Sequence, residues 1–104
     1  MISLTDNYEK LCYLLLNDPD GFLISLRFGQ KVDYQKVNDI LRVLHDIQDE
    51  YKNSDLISKE LCGLFMDFST SVGSGFSLYS AAEVKEITQI SDKIQDAMRS
   101  CVYQ

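Results

Sequence analysis

The stretch that decides the fold is residues 33–52, DYQKVNDILRVLHDIQDEYK. It opens with Asp33, a residue type that caps helix N-termini well. Its apolar side chains then recur at steps of three and four residues, the spacing of one helix face. These positions are Val37, Ile40, Leu41, Leu44, Ile47 and Tyr51. The pattern predicts an amphipathic helix from Asp33 to about Lys52 that buries this stripe in a core.

The same period continues toward the N-terminus. A first helix is predicted from about Leu4 to Asn17, with Ser3 or Thr5 as its cap. It ends before Pro19, because a residue that precedes proline disfavours helical backbone angles.

The next segment leaves two interpretations open. One is a short helix from about Pro19 to Phe28, with Asp18 as its cap and Gly29 as its C-terminal stop. The other is a short strand over residues 22–28.

The C-terminal half also reads as helical. Residues 53–55 predict a break and a new cap, so that a fourth helix covers Leu56 to about Thr70. Alternatively, the break is only a kink in one helix that spans residues 33–70. A glycine-containing loop follows at residues 72–79, and Ser80 and Glu83 then form a capping box for a last helix that reaches about Cys101. The chain is therefore predicted to be all-α, a compact bundle of four to five helices in one domain, residues 1–104.

Composition limits the classes of partner. The net charge is −6, which speaks against nucleic acid and anionic membranes as ligands and favours a basic protein. The first ten residues carry Asp6 and Glu9 where a signal peptide would be basic. The three cysteines are far apart, as in proteins of reducing compartments. We therefore expect a cytoplasmic protein that does not bind membranes.

Residues that carry chemistry are scarce. His45 is the only histidine, and we expect it to pair with Asp49 on the helix surface. No Glu-x-x-His sequence is available for a carboxylate-bridged metal centre. The sequence thus predicts no catalytic residue, no metal site and no cofactor, and a protein that is not an enzyme.

The acidic excess is concentrated in the middle of the chain. Residues 33–67 hold eight acidic and four basic side chains, a net charge of −4, while each flank carries −1. The candidate partner-binding residues of this region are Asp39, Asp46, Asp49, Glu50, Tyr51 and Asp55. A docking surface for a basic protein is one interpretation, in which the carboxylates steer the encounter and the tyrosine anchors it. A merely solvated helix face is the other.

The loop at residues 72–79 offers a second candidate surface. Phe76 and Tyr79 lie in it between flexible residues and are candidate partner-binding side chains. The alternative is that both aromatic rings simply cover one end of the bundle.

Small size, acidity, helical pattern and absence of catalytic residues together resemble the bacterial immunity proteins that inhibit colicins, contact-dependent inhibition toxins and type VI effectors. Residues 46–55, DIQDEYKNSD, resemble the acidic, tyrosine-containing surface of colicin DNase immunity proteins. The resemblance implies one-to-one binding to a basic toxin domain, often a nuclease, and inhibition by covering its active site or an adjoining surface.

A second function remains open from the sequence. The chain is then a small, non-catalytic helical adaptor or regulatory domain that binds through an exposed apolar surface. In either case we expect a monomer or a weak dimer.

Overall fold

The computed structural model describes residues 6–17, 20–54 and 56–102. Within these ranges the chain forms five α-helices and one 3-10 turn, without a strand. The helices are α1 (Asn7–Leu16), α2 (Phe22–Arg27), α3 (Tyr34–Glu50), α4 (Lys59–Gly73) and α5 (Ala81–Val102), and the 3-10 turn, Phe76–Leu78, precedes α5. The predicted all-α class and helix number are confirmed.

Local hydrogen bonds explain where the helices begin. The Asp33 carboxylate accepts from the Lys36 amide at 3.2 Å and caps α3 as predicted. The capping box of α5 also forms, because Ser80 and Glu83 each accept from the other's amide, at 3.2 and 3.0 Å. At α1 the cap is Asp6, whereas the predicted caps, residues 3 and 5, lie outside the described residues.

The second segment is a helix, and the strand alternative is wrong. It begins at Phe22, later than predicted, after Gly21 as N-cap. Asp18 and Pro19 lie outside the described residues. The helix ends as expected at Gly29, whose φ of +68° places it in the left-handed region that favours glycine. The amide of the following residue, Gln30, donates to the Ser25 carbonyl at 3.1 Å, which completes a Schellman motif.

The junction between α3 and α4 is a true break, so the prediction of one kinked helix is wrong. Serine side chains cause it. The Ser54 hydroxyl binds the backbone of Leu56, and the Ser58 hydroxyl accepts from the Leu61 amide at 3.1 Å to cap α4. α4 therefore starts three residues later than predicted and continues to Gly73. The predicted loop shrinks accordingly, and a 3-10 turn occupies part of it.

One hydrophobic core draws side chains from all five helices. α3 lies centrally and packs against α1 and α5, while α4 packs on α5. The rings of Phe22 and Phe68 stack at 6.3 Å between centroids and join α2 to α4. The buried apolar residues are Leu11, Leu15, Phe22, Leu23, Leu26, Val37, Ile40, Val43, Leu44, Ile47, Leu61, Phe68, Val72, Ile87, Ile90, Ile94, Met98 and Cys101. Leu16, in the last turn of α1, is an exposed apolar side chain.

The two ends of α3 meet different neighbours. α1 begins where α3 ends, since the Asn7 amide group donates to the Glu50 carboxylate at 3.1 Å. α5 begins beside the start of α3, where Tyr34 and Glu86 line the same pocket. The ends are about 24 Å apart at 1.5 Å per residue, so surfaces formed there are separate. No helix in the described parts of the chain is long and apolar enough to cross a membrane.

Candidate partner-binding surface

The predicted carboxylates of α3 lie on the side of the helix that faces away from the core. Asp46, Asp49 and Glu50 are exposed, and Asp39 is half-buried. Asp55 lies outside the described residues. We call Asp39, Asp46, Asp49 and Glu50 the acidic face.

Pairing within the acidic face is weak. Asp39 accepts from Gln35 at 3.0 Å and lies 3.7 Å from the Arg42 guanidinium. Asp49 lies 3.8 Å from His45, as the sequence predicted. Both contacts are solvent-exposed, and even a fully charged pair at such a position contributes about 0–1 kcal/mol. Little internal bonding would therefore be lost if a partner engaged these carboxylates.

At the end of α3 the structure forms a concave site that the sequence did not predict. Glu50 and Tyr51 meet the first turn of α1 and the start of α4 around a groove of about 330 Å³. The lining residues are Asp6, Tyr8, Glu50, Tyr51, Ser58, Glu60 and Leu61. We call this site the tyrosine groove. Glu50 belongs to both surfaces, so the groove adjoins the acidic face.

The tyrosine groove is electrostatically negative. None of its lining residues is basic, and none of its three carboxylates forms an ion pair with a described residue. Asp6 accepts from the Tyr8 amide at 2.8 Å and Glu50 from Asn7, both uncharged donors. The pKa of Tyr8 is raised, first by a side-chain hydrogen bond with Cys12 and its charge, then by burial and by the charges of Glu60 and Asp6.

Both tyrosines of the groove also pack against the core. Tyr8 and Tyr51 are half-buried and touch the apolar cluster. Their rings are therefore held in place before any partner arrives, which lowers the entropy that binding must overcome. An aromatic side chain that is fixed and half-exposed is typical of the anchors on which binding energy concentrates.

The other two predicted residues lie near the opposite end of α3. Phe76 and Tyr79 are half-buried and pack against the core. The Tyr79 hydroxyl donates to the Gln30 carbonyl at 2.7 Å. Burial, and then the charge of Glu83, raise the pKa of Tyr79. This packing agrees with the interpretation that both rings cover one end of the bundle. A partner-binding role for Phe76 and Tyr79 stays a prediction.

A third concave surface lies between α4 and α5. It has a volume of about 310 Å³ and is mostly apolar. Its lining residues are Cys62, Phe65, Met66, Ser69, Gln95, Met98, Arg99 and Val102. We call it the apolar groove. The Met66 side chain is 77% exposed there, which is more than expected for a methionine that only packs in a core.

The cysteine and histidine side chains of the described residues do not gather into a metal-binding group. Within the described ranges, no group of three or more His, Cys, Asp or Glu side chains could hold a metal ion. Cys101 is buried, and its thiol lies 3.4 Å from the carbonyls of Leu44 and Ala97. Burial raises the pKa of this thiol to about 11, so it stays protonated and unreactive at neutral pH.

Only some of the residues that line the tyrosine groove could be predicted from the sequence. Glu50 and Tyr51 were predicted, whereas Asp6, Tyr8 and Glu60 were not. Their helices meet only in three dimensions, and no spacing in the sequence signals that meeting. Comparisons with protein-family models, with curated proteins and with solved structures found no match.

Proposed function

We propose that this protein is an inhibitor of the immunity type, which binds the basic domain of a cognate toxin protein and covers its active site. The observation that carries the proposal is the junction at Glu50 between an acidic helix face and a groove with two fixed tyrosines. Charge on the face and aromatic surface in the groove are the two components of a tight, specific protein interface.

The acidic face would act mainly on the rate of association. Exposed carboxylates attract a basic domain over about one Debye length, roughly 8 Å at physiological ionic strength. The net charge of −6 adds to this attraction. Steering of this kind raises the association rate constant and falls steeply as salt is added.

The groove would act mainly on the dissociation rate. Tyr8 and Tyr51 present apolar ring surface together with hydroxyl groups, and their packing against the core fixes their positions. Truncation of an anchor of this type costs about 2 kcal/mol or more of binding free energy. Such anchors dominate the lifetime of related complexes.

The test begins with capture of a partner from the native strain by the tagged full-length protein, identified by mass spectrometry. The variant Asp46→Lys/Asp49→Lys/Glu50→Lys should lose that partner. The matched control is Asp67→Lys/Asp92→Lys/Asp96→Lys, which changes the net charge equally at exposed positions outside the acidic face and should retain it. Co-expression then measures whether the partner arrests growth alone and whether the wild-type chain relieves the arrest.

Two results would overturn the proposal. One is equal loss or equal retention of the partner by the two triple variants, because the position of the charge would then not matter. The other is a partner whose expression is harmless, because an immunity protein has no role without a toxin.

The alternative function, a non-catalytic adaptor or regulatory domain, is favoured by the apolar groove and by the exposure of Met66 within it. An interface of that kind depends on burial of apolar surface and responds little to salt. Measurement of the association rate constant between about 0.05 and 0.5 M salt separates the two functions. A steep decrease supports the acidic face, and a flat profile supports the apolar groove.

A further inference from the structure

We infer that the tyrosine groove receives an arginine side chain of the partner, so that this basic residue is the central contact of the complex. The inference rests on the proposed function, because it names the chemistry of the partner at a site that function already uses. Three features of the groove lead to it: its shape, its aromatic walls and its charge.

The shape of the groove can accept a side chain of a partner. The groove is a concavity of about 330 Å³, at the small end of the roughly 300–1,000 Å³ typical of sites that enclose small groups. It lies where three chain segments meet, so its walls belong to different helices. A single long side chain fits such a site better than a helix or a strand.

The walls favour a flat cation. Tyr8 and Tyr51 are both among the lining residues and are both held by the core. A guanidinium group stacks on tyrosine faces, where the negative ring quadrupole attracts it. Leu61 also lines the groove, where it lies buried behind the tyrosines and makes the base of the site apolar.

The charge of the groove is complementary to the same group. Asp6, Glu50 and Glu60 line the groove, and no basic residue lines it with them. Their only hydrogen bonds within the described residues come from the Tyr8 amide and the Asn7 side chain. As far as the described residues are concerned, lone-pair positions on these carboxylates remain open to the five N–H donors of a guanidinium, which pair with carboxylates in a fixed fork.

The same features disfavour lysine. Its ammonium group is compact and strongly hydrated, it does not stack on an aromatic ring face as a plane, and it cannot pair with a carboxylate through two parallel bonds. Arginine should therefore bind at least about threefold more tightly than lysine, a factor within the range of about two to five that an exposed cation–π contact contributes.

The test uses the isotope-labelled full-length chain and two capped peptides, Gly-Arg-Gly and Gly-Lys-Gly, in NMR titrations. The arginine peptide should shift the amide signals of Tyr8, Tyr51 and Glu60 in a saturable way. Nuclear Overhauser contacts should join its δ-methylene protons to the tyrosine rings. The lysine peptide should bind at least about threefold more weakly.

Two variants on α4 provide a matched pair. Glu60→Gln removes one charge from the groove, whereas Asp67→Asn removes one exposed charge elsewhere on the same helix. The first should weaken arginine binding at least about threefold, and the second should leave it unchanged. Thermal unfolding of both variants shows whether the fold is intact.

Shifts confined to Asp46 and Asp49, equal affinity for the two peptides, or equal effects of the two variants would each overturn the inference. Failure here is distinguishable from failure of the proposed function. If a captured toxin is lost by the triple reversal on the acidic face but is held equally by wild type and Glu60→Gln, the inhibitor function stands and the arginine contact does not.

Discussion

The two ends of α3 lie beside surfaces of the same residue types, tyrosines and carboxylates, which differ in how fully those side chains are bonded within the protein. Near its start, Tyr34 and Tyr79 lie with two glutamates and Lys31 around a pocket of about 240 Å³. We call this site the Tyr79 pocket. Near its end, Tyr8 and Tyr51 lie with three carboxylates around the tyrosine groove. Both sites are lined by paired tyrosines and acids, and they differ in hydrogen bonding and in the presence of a basic side chain.

The tyrosines and glutamates of the Tyr79 pocket are bonded to the protein itself. The Tyr79 hydroxyl donates to the Gln30 carbonyl, and Glu83 binds the amide of Ser80. A side-chain hydrogen bond with Glu86 is the largest cause of the raised pKa of Tyr34. A basic side chain also lines the pocket, whereas none lines the groove.

Residue type alone does not identify a binding site in this protein. Tyrosines and carboxylates near the start of α3 stabilise the fold, because their donors and acceptors are already engaged. Those near its end leave charge and ring surface open to another molecule. Substitutions in the pocket should therefore change stability, and substitutions in the groove should change binding.

We expect the greatest loss of stability from a substitution at Gly75, where the chain passes close to the backbone of α2. A Cβ at this position would clash with the Leu26 carbonyl oxygen and would lie 3.0 Å from its carbon. Both are backbone atoms and cannot rotate away. Gly75→Ala should therefore lower the free energy of unfolding by about 2–3 kcal/mol, the cost of overpacking, measured by urea denaturation.

Gly73 provides the matched control. It is the last residue of α4, and no atom lies within 4 Å of a Cβ built there. Gly73→Ala should leave stability unchanged or raise it by up to about 1 kcal/mol, because alanine favours the helix. Equal urea midpoints for the two variants would show that the turn is not packed tightly against α2.

Removing one hydroxyl from each tyrosine pair tests the difference between the two sites, and we expect a moderate loss of stability at one of them. Tyr79→Phe removes the hydroxyl that donates to Gln30 and should lower the free energy of unfolding by about 1 kcal/mol. Tyr51→Phe removes a hydroxyl for which no hydrogen bond is found within the described residues, and should change stability by less than about 0.5 kcal/mol. Thermal or urea unfolding of both variants measures the difference. If Tyr51→Phe proved as destabilising as Tyr79→Phe, the groove would be a structural site like the pocket.

The sequence predicted the parts of the fold that depend on local rules. The apolar period of residues 33–52 and the Asp33 cap located α3, and the Ser80–Glu83 capping box located the start of α5. Each is a relation between residues within a few positions, so the pattern alone fixes it. Helix starts were less predictable where several candidate caps compete. Ser54, Asp55 and Ser58 all suit the role, and the structure uses Ser58.

The candidate site depended on relations that a sequence does not show. Glu50 and Tyr51 were predicted from local charge, but the groove exists only because α1 begins where α3 ends. Residues 8 and 60 contribute to it through that packing, and neither differs in type from acids and tyrosines elsewhere in the chain. The same limit applies to Tyr79, whose hydrogen bond to Gln30 depends on the path of the chain between α2 and α3.

We expect the least change in stability from Glu83, whose contribution depends on pH. Hydrogen bonds from the backbone and side chain of Ser80 hold the pKa of Glu83 below its ordinary value of 4.5. A carboxylate with a lowered pKa stabilises the folded state above its ordinary pKa, and this contribution disappears as the pH falls through the folded value. Wild type should therefore exceed Glu83→Gln in melting temperature at neutral pH, and the excess should shrink from about pH 4.5 downward. Melting curves down to about pH 3 measure it. If this difference in melting temperature stayed constant or grew in acid, the ionised carboxylate would not stabilise this end of the bundle. The Tyr79 pocket would then differ less from the tyrosine groove.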